Sequence, residues 1–370
     1  MQKMKSAASF LCGLFMLGGV IGALRDLPNS ALARQNQVSG GSSGIEVAPV
    51  RGNIYMIVGA GGNIAASVGA DGVMLADTGT IEASGNVLAA IQRLQQLQQV
   101  KIAAGVVPFR GLSWQEELLQ LQQLKSGLPP KPIRYIILTH LDADHAGGNE
   151  KISLAGATIT GGNVAGDIRD AALGASIIAH ENVLNRMSGS ASGRTSMPFR
   201  AWPTDTYAGD GMKLSDFFNG EGVQIFHQPA ANTDGDSLVY FRGSDVIAAG
   251  DIFLTTGYPV IDLERGGSIQ GVIDGLNHIL DLAIFGFRTE GGTLIIPGHG
   301  RLSDAADVAY YRDMVTIIRD RVQDAVNRGL TWEQVKAAKL TADYDPRYSA
   351  KDWTGEMFAE AVYKTIPFKK

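Results

Sequence analysis

Cysteine is nearly absent from this 370-residue chain: the one cysteine, Cys12, lies within the first fifteen residues. The rest of the chain therefore has no disulfide, no cysteine-based zinc site and no cysteine nucleophile. No long apolar run follows the N-terminal segment, which excludes a protein with several membrane spans. The net charge of −5 comes without a cluster of lysine and arginine, which argues against a general nucleic-acid binder.

Apolar residues and glycine are plentiful instead. A hydrophobic content of 45% excludes a disordered chain. The 46 glycines against 13 prolines indicate many tight turns, as in β-rich or α/β proteins. At about 100–200 residues per domain, the length allows one large domain or two ordinary ones.

Residues 1–33 have the pattern of a secretory signal peptide. Lys3 and Lys5 precede the uncharged stretch Ser6–Leu24, and Ala31–Ala33 supplies a small-residue cleavage site. The same stretch is just long enough for an uncleaved membrane anchor, but its four glycines lower its hydrophobicity and favour cleavage. We therefore expect an exported protein, periplasmic or secreted, with no stable membrane insertion after cleavage.

Short β-branched runs broken by glycine follow a flexible linker, residues 34–45, that is rich in Gln, Ser and Gly. The runs predict three strands, a helix from about Glu82 to Leu97, and a second helix that begins at the capping box Ser113–Glu116 and runs towards Lys125. A buried strand is predicted at Ile133–Leu138. The three hairpin strands are Asn53–Val58, Asn63–Val68 and Gly72–Ala76.

The second half partly repeats the first. A strand, a turn, a strand and an acidic residue occur at 65–78, ending in Asp77, and again at 237–251, ending in Asp251. A helix is predicted at Ile269–Leu282 and a strand at Thr293–Ile296. Three C-terminal helices follow: one at Ala305–Arg328, one that begins at the capping box Thr331–Gln334, and one around Glu356–Lys364. Alternating strands and helices without a glycine-rich phosphate loop predict a large α/β sandwich with a C-terminal helical extension, 306–370.

Two histidines and two aspartates stand together directly after the strand Ile133–Leu138. Loops at strand ends are common positions for metal ligands, and a loop can direct four donors to two neighbouring ions. A solvated polar loop is the alternative, but the flanking residues are apolar or glycine, and four such groups buried without a cation would be costly. The cluster is His140-Leu141-Asp142-Ala143-Asp144-His145.

This segment resembles the H-x-H-x-D-H signature of metallo-β-lactamase fold hydrolases, with one change. Residues 231–236, 249–253 and 297–300 follow in the order in which that family places its third histidine, its metal-bridging aspartate and its last histidine. The resemblance covers about residues 46–305. It implies an αββα four-layer sandwich with the metals at one edge.

The resemblance also implies two unequal metal sites. The second site has all of the family's ligands: Asp144, His145 and His299, with Asp251 as the residue that bridges to the first site. The first site keeps His140, but Asp142 stands in place of a histidine and Asn232 in place of another. An amide oxygen binds zinc less well than imidazole does. We expect one tightly bound Zn²⁺, and a first site that is weak or takes iron or manganese.

The resemblance further implies a hydrolase that acts on a small molecule. A metal with an open position lowers the pKa of bound water to about 7, so hydroxide could attack a lactam, lactone, ester or thioester. Asp144 is the candidate to orient that nucleophile, and Asp142 is the candidate general base. The alternative, which Asp142 and Asn232 suggest, is a non-catalytic ligand-binding or iron-dependent redox member of the same fold.

Other polar residues have two interpretations. Asp77 either supports a metal ligand or is an acidic turn residue, and Asp234 and Asp236 either cap a turn or support the metal ligands. His227 is a possible substitute for the missing histidine, because it lies five residues before Asn232. His180 and His278 are expected to be structural.

Overall fold

The computed structural model describes residues 44–103, 131–158, 174–189, 197–214, 217–284 and 291–366. The predicted signal peptide, nearly all of the predicted linker and the helix predicted at 113–125 lie outside the described residues. No helix in the described ranges is long and apolar enough to span a bilayer.

The first sheet has seven strands within the described ranges, which lie side by side in chain order. The first four are antiparallel neighbours, and from the fourth to the seventh the pairing is parallel. The strands are β1 (Glu46–Arg51), β2 (Ile54–Ala60), β3 (Gly62–Gly69), β4 (Gly72–Ala76), β5 (Ile133–Ile137), β6 (Ser176–His180) and β7 (Asp205–Tyr207).

The second sheet has six strands in the same described ranges, in the order β13-β12-β11-β10-β9-β8. Only the β11–β12 pair is parallel. The strands are β8 (Gly211–Lys213), β9 (Val223–Gln228), β10 (Asp236–Phe241), β11 (Val246–Ala248), β12 (Leu294–Ile296) and β13 (Ser303–Asp304).

Nine α-helices and three short 3₁₀ turns lie in the described part of the chain. The helices are α1 (Ser84–Ala103), α2 (Ala143–Ala146), α3 (Asn149–Leu154), α4 (Glu181–Met187), α5 (Ile269–Leu282), α6 (Ala305–Asn327), α7 (Trp332–Ala337), α8 (Asp345–Tyr348) and α9 (Gly355–Thr365). The 3₁₀ turns are Phe199–Ala201, Gly250–Ile252 and Leu263–Arg265.

Alternate residues along the strands face different layers, as the two-residue period of a strand requires. Along β2, Ile54 and Met56 pack between the two sheets, whereas Tyr55 and Ile57 pack on the outer face with α1. The outer face of the second sheet packs on α5, α6 and α9. Three apolar layers thus separate four layers of secondary structure, and the predicted αββα sandwich is confirmed.

The repeat seen in the sequence corresponds to two similar halves. Antiparallel strands β3 and β4 are followed by α1 and then by β5, which pairs in parallel with β4. Strands β10 and β11 are followed by α5 and then by β12, which pairs in parallel with β11. Each half therefore brings the ends of two parallel strands to one edge of its sheet.

The local sequence explains these elements. All five residues of β4 are buried, as expected of a strand covered on both faces. Helix α5 begins after Ser268, whose side chain accepts a hydrogen bond from the Gly271 amide. Its buried residues Ile269, Val272, Ile273, Leu276 and Ile279 recur at helical spacing.

Candidate metal centre

Four parallel strand ends place the candidate ligands. Strand β4 leads to Asp77, β5 to the segment 139–145, β11 to Asp251 and β12 to His299, while Asn232 lies in the loop between β9 and β10. The two halves of the fold therefore each contribute the ends of two strands to the same place. The structure brings together all seven residues that the sequence analysis proposed as ligands.

The second site has four donor residues close together. The Nε2 atoms of His145 and His299 are 3.4 Å apart, and Asp144 Oδ2 lies 3.0 Å from His299 Nε2. Asp251 Oδ1 lies 3.2 Å from His145 Nε2 and 3.6 Å from His299 Nε2. Two imidazoles and two carboxylates in this arrangement form a set that suits zinc, iron or manganese.

The first site lies on the other side of Asp251. His140 Nε2 is 3.5 Å from Asp142 Oδ2 and 3.7 Å from Asp251 Oδ2. Asp251 thus turns one oxygen towards each site, as a bridging ligand would. The side-chain amide nitrogen of Asn232 lies 3.5 Å from Asp142 Oδ2, so Asn232 also faces this site.

Three buried polar atoms in this centre make no hydrogen bond: His140 Nε2, Asn232 Oδ1 and Asp251 Oδ1. Buried polar groups are otherwise almost always paired, because an unpaired one carries a desolvation cost. A cation in the first site would satisfy His140 Nε2 and Asn232 Oδ1, and a cation in the second site would satisfy Asp251 Oδ1. The residues present therefore fit the metal centre that the sequence implies.

A chain of hydrogen bonds behind the ligands orients both buried imidazoles. Asp77 accepts hydrogen bonds from the Thr139 amide at 2.8 Å and the Thr139 hydroxyl at 2.7 Å, and its Oδ2 lies 2.8 Å from His145 Nδ1. Because the Thr139 hydroxyl donates to Asp77, it accepts from His140 Nδ1 at 2.9 Å. Both histidines therefore turn Nε2 towards the metal centre. Asp77 thus contacts a candidate ligand, in keeping with the supporting role suggested by its position.

Glycines allow the strand ends to come this close. A Cβ atom on Gly62 would lie 2.4 Å from the His145 ring, and one on Gly298 would lie 2.0 Å from Asp251 Oδ1. Sequence analysis did not identify either residue as part of the site. The glycine pair at 61–62 and the Pro-Gly step before His299 are the only local signals of the close approach.

The sequence analysis also missed Arg265. Its Nη2 atom lies 2.5 Å from Asp142 Oδ1, and its Nε atom donates to Asp262 Oδ2 at 2.7 Å. Burial raises the pKa of Asp142, but His140 and Arg265 lower it more, so that the pKa stays well below its usual range. No motif indicates this arginine, because it lies 123 positions from Asp142 in the chain.

The carboxylates also act on the imidazoles. Burial lowers the pKa of His145, but Asp251 and Asp77 raise it more, to about 10. Burial likewise lowers the pKa of His140, and Asp142 and Asp251 bring it well above its usual value. These shifts favour the protonated imidazoles in the metal-free centre, so metal binding would compete with protons at both rings.

The remaining histidines lie outside the three groups of potential ligands found among the described residues. His227 stacks on His180 with ring centroids 3.6 Å apart, and its Nε2 is 2.8 Å from the Asp234 carbonyl oxygen. His227 therefore does not replace the missing ligand. His278 Nδ1 is hydrogen-bonded to Gln228 at 2.9 Å.

The two aspartates around Gly235 have local partners. Asp234 forms a two-pronged ion pair with Arg186, at 2.9 and 2.7 Å. Asp236 accepts a hydrogen bond from the Thr233 amide at 2.6 Å and caps the turn. Burial raises the pKa of Asp236 from 3.8 to about 7, although His140 opposes the shift.

The solved structures that resemble this chain include an alkylsulfatase and metallo-beta-lactamases. The stereoselective inverting sec-alkylsulfatase Pisa1 from Pseudomonas sp. has a TM-score of 0.54 and 17% identity, over 88% of this chain and 50% of the sulfatase chain. This chain therefore spans about half the length of that enzyme. DIM-1 metallo-beta-lactamase has a TM-score of 0.45 and 12% identity, over 74% of this chain and 97% of its own. A metallo-beta-lactamase from Pontibacter korlensis has a TM-score of 0.44 and 12% identity, over 74% of this chain and 99% of its own.

At these identities the similarity to the sulfatase concerns the fold. No curated protein matches the chain. The family model of the metallo-beta-lactamase superfamily matches residues 111–299, which is just over half of the chain and includes all seven candidate ligands. Together with the four-layer fold, this match shows that the chain belongs to the metallo-beta-lactamase superfamily.

Proposed function

We propose that this protein is an exported, metal-dependent hydrolase that cleaves a carbonyl bond of a small molecule, namely a lactam, lactone, ester or thioester. One observation carries the proposal: the donor atoms of Asp144, His145 and His299 all lie within 4.8 Å of one another. Membership of a superfamily whose members are typically hydrolases supports it.

The second site would hold the metal, with zinc as the expected ion. Asp144, His145 and His299 would bind it, and Asp251 would face both this site and the first one. The chemistry that a divalent ion would supply there is a lower pKa of water, near 7, and hence a nucleophile at neutral pH. His140, Asp142 and Asn232 would hold a second ion, for which the donor set favours iron or manganese.

Asp144 is the carboxylate best placed to handle the proton of an attacking water. Its side chain is 36% exposed, whereas that of Asp251 is 7% exposed. In the metal-free centre, a hydrogen bond with His299 lowers the pKa of Asp144. Asp142, the other candidate base, has one oxygen bound to Arg265. We therefore assign orientation of the water to Asp144 and a positioning role to Asp142.

The test is turnover of a panel by the zinc-loaded protein, with a β-lactam, a lactone, an aryl ester and a thioester. A secondary alkyl sulfate belongs in the panel because the alkylsulfatase shares the fold. We expect turnover of a carbonyl substrate, and its loss in His299→Ala. His278→Ala is the matched control, because His278 is also partly buried but lies outside the centre. Equal rates for His299→Ala and the wild type would refute the proposal. Turnover of the sulfate alone would show that the substrate is a sulfate ester and not a carbonyl compound.

Export is part of the proposal and has its own test. The N-terminal sequence of the protein from its native cell should begin near residue 34. A mature chain that begins at Met1 and stays with the membrane fraction would favour the uncleaved anchor instead.

A second candidate is a ligand-binding or iron-dependent redox protein. The pairing of Asp142 with Arg265 and the amide at Asn232 favour it, because both make the first site unlike a zinc site. The variant Asp142→His/Asn232→His discriminates between the two candidates. A large gain in hydrolytic rate would show that the natural centre serves another chemistry, and an unchanged or lower rate would favour the hydrolase.

A further inference from the structure

The segment 262–267 is docked on the loop that carries Asn232. The Asp262 amide donates to the Asn232 carbonyl oxygen at 2.9 Å, and the Asp234 amide donates to the Arg265 carbonyl oxygen at 2.9 Å. A Cβ atom on Gly267 would lie 2.1 Å from the Asn232 carbonyl oxygen, so the backbones are in direct contact. The segment thus has a fixed position next to the first site.

Arg265 is held in place from both ends of its side chain. Asp262 accepts from the Arg265 amide at 2.8 Å and from its Nε at 2.7 Å. The far end, Nη2, reaches Asp142 Oδ1 at 2.5 Å, and only 18% of the side chain is exposed. A planar guanidinium fixed in this way is a built feature of the centre rather than a mobile surface charge.

The position of Arg265 matters because of the charges at the first site. His140 and Asn232 are neutral donors when they bind a metal, and Asp251 is shared with the second site. Asp142 is therefore the one anion that belongs to the first site alone. Its Oδ2 faces His140 Nε2 at 3.5 Å, while its Oδ1 is paired with the guanidinium. The charge that would attract a cation is offset by a fixed positive charge on the same carboxylate.

We propose that Arg265 sets the metal affinity of the first site and keeps it weak, so that the protein retains one ion at the second site and binds another only at higher free metal concentration. The inference rests on the metal centre of the proposed function but not on hydrolysis. It gives the weak first site a specific cause, which is a charge supplied by this chain rather than the loss of histidine ligands alone.

Arg265 could instead strengthen metal binding at the first site, and this alternative makes the opposite prediction. A residue that merely orients a ligand strengthens metal binding, and its removal typically weakens affinity about 10- to 100-fold. If Arg265 only positions Asp142, its replacement should weaken the first site. If its charge limits binding, as we propose, replacement by a neutral residue should strengthen it. The direction in which the metal affinity of the first site changes therefore distinguishes the two roles of Arg265.

The experiment is a titration of the metal-free full chain with Mn²⁺, and separately with Zn²⁺, against a chromophoric chelator, with elemental analysis of the bound metal. For the wild type we expect one tight and one weak dissociation constant. In Arg265→Met and Arg265→Gln the weak constant should fall by about tenfold or more, the scale on which neighbours of a ligand act. The tight constant should stay within about threefold. Arg265→Lys, which keeps the charge, should stay close to the wild type.

Arg186→Met is the matched control, because Arg186 forms its own two-pronged ion pair with Asp234 and belongs to the same charged region. Its weak constant should not change. Two equal constants in the wild type would overturn the inference, as would an unchanged or larger weak constant in folded Arg265→Met and Arg265→Gln. Absence of hydrolysis with the expected constants would count against the proposed function alone.

Discussion

Asp77 is the residue on which the geometry of the buried imidazoles depends. Its backbone is left-handed, with φ of 69°, and its side chain is 3% exposed. It fixes His145 directly and His140 through the Thr139 hydroxyl. A non-glycine residue in this conformation is uncommon and costs free energy, which the three hydrogen-bonded contacts of the carboxylate offset.

Asp77→Asn should weaken the metal centre without unfolding the protein. An amide has one acceptor oxygen in place of two, so it cannot accept from Thr139 and also hold His145 Nδ1 as the carboxylate does. We therefore expect the metal affinity of the second site to fall by about 10- to 100-fold. Competitive zinc titration measures this loss. Asp71→Asn, in an exposed turn, is the control and should bind zinc like the wild type. Equal affinities for all three proteins would contradict the supporting role of Asp77.

Asp236 should make the stability of the metal-free protein depend on pH. Its pKa is about 7 in the fold and 3.8 as a free side chain, so the folded state keeps its proton longer than the unfolded state. The stability that this provides is complete below about pH 4 and is lost as the pH rises towards 7. In Asp236→Asn this loss should be absent.

Urea unfolding of both proteins in chelator at pH 5 and pH 8 checks the sign. The wild type should lose more free energy of unfolding than the variant between these pH values, by up to a few kcal/mol at roughly 1.4 kcal/mol per pKa unit. Contributions from titrating groups that do not interact with Asp236 are common to both proteins and cancel in the difference. A larger loss in the variant would show that Asp236 is ionised in the fold.

At the residue scale, the sequence suggests candidate ligands and, with Asp77, one of their neighbours, but it gives no indication of Arg265. The spacing of donors along the chain is enough to propose the cluster His140–His145, whereas His299 is proposed only through the family resemblance of the segment 297–300. Arg265 and its partner Asp142 are brought together only by the packing of the segment 262–267 on the Asn232 loop. Contacts of that range depend on the three-dimensional fold, and a single sequence carries no signal for them.

At the scale of secondary-structure elements, the site depends on strand ends that lie close together because no side chain separates them. Gly298 precedes His299 at the end of β12, and it lies against the backbone and carboxylate of the Gly250–Ile252 turn after β11. The two parallel strands can therefore present Asp251 and His299 to the same point. Any side chain at position 298 would occupy the space of the Asp251 carboxylate.

Gly298→Ala should remove metal binding by moving Asp251. The added Cβ would lie 2.0 Å from Asp251 Oδ1 and 2.8 Å from the Gly250 backbone, so the carboxylate or the turn must shift. We expect less than one tightly bound metal per chain by elemental analysis. Gly85→Ala in α1 is the matched control, because its Cβ would meet only the flexible end of Lys151 at 3.3 Å. Full metal content in Gly298→Ala would show that the strand ends can separate.

At the element scale, apolar periodicity predicts most of the described core elements well. The strand Gly72–Ala76 and the helix Ile269–Leu282 are confirmed with their predicted bounds. The helix predicted at Glu82–Leu97 forms but extends from Ser84 to Ala103, because its end carries no glycine or proline to stop it. Short strands such as β8 and β13 went unpredicted, since they have too few residues to show a period.

The whole molecule depends on helices that lie far from the motifs in the sequence. From the sequence alone the C-terminal helices could pack on the sandwich, cover the pocket or form a dimer surface. In the structure α6 and α9 belong to the apolar layer on the outer face of the second sheet. This layer supports β11 and β12, and therefore the Asp251 and His299 side of the metal centre. Choosing among the three options required the fold, because all of them demand the same amphipathic pattern.

Phe358 in α9 should be essential to the stability of that layer. It is completely buried, and its ring stacks on Tyr258 at a centroid distance of 5.0 Å. Removal of a buried phenylalanine typically costs about 3–5 kcal/mol, so Phe358→Ala should lower the free energy of unfolding by that amount. The adjacent Met357 is 41% exposed, and Met357→Ala should change it by less than about 1 kcal/mol. Urea unfolding of the wild type and the two variants measures both changes in free energy, provided that the dependence of the free energy on urea concentration is the same for all three proteins. If the two variants lose the same stability, the C-terminal helices do not form part of the cooperative core, and the support they give to the second sheet would have to come from α5 alone.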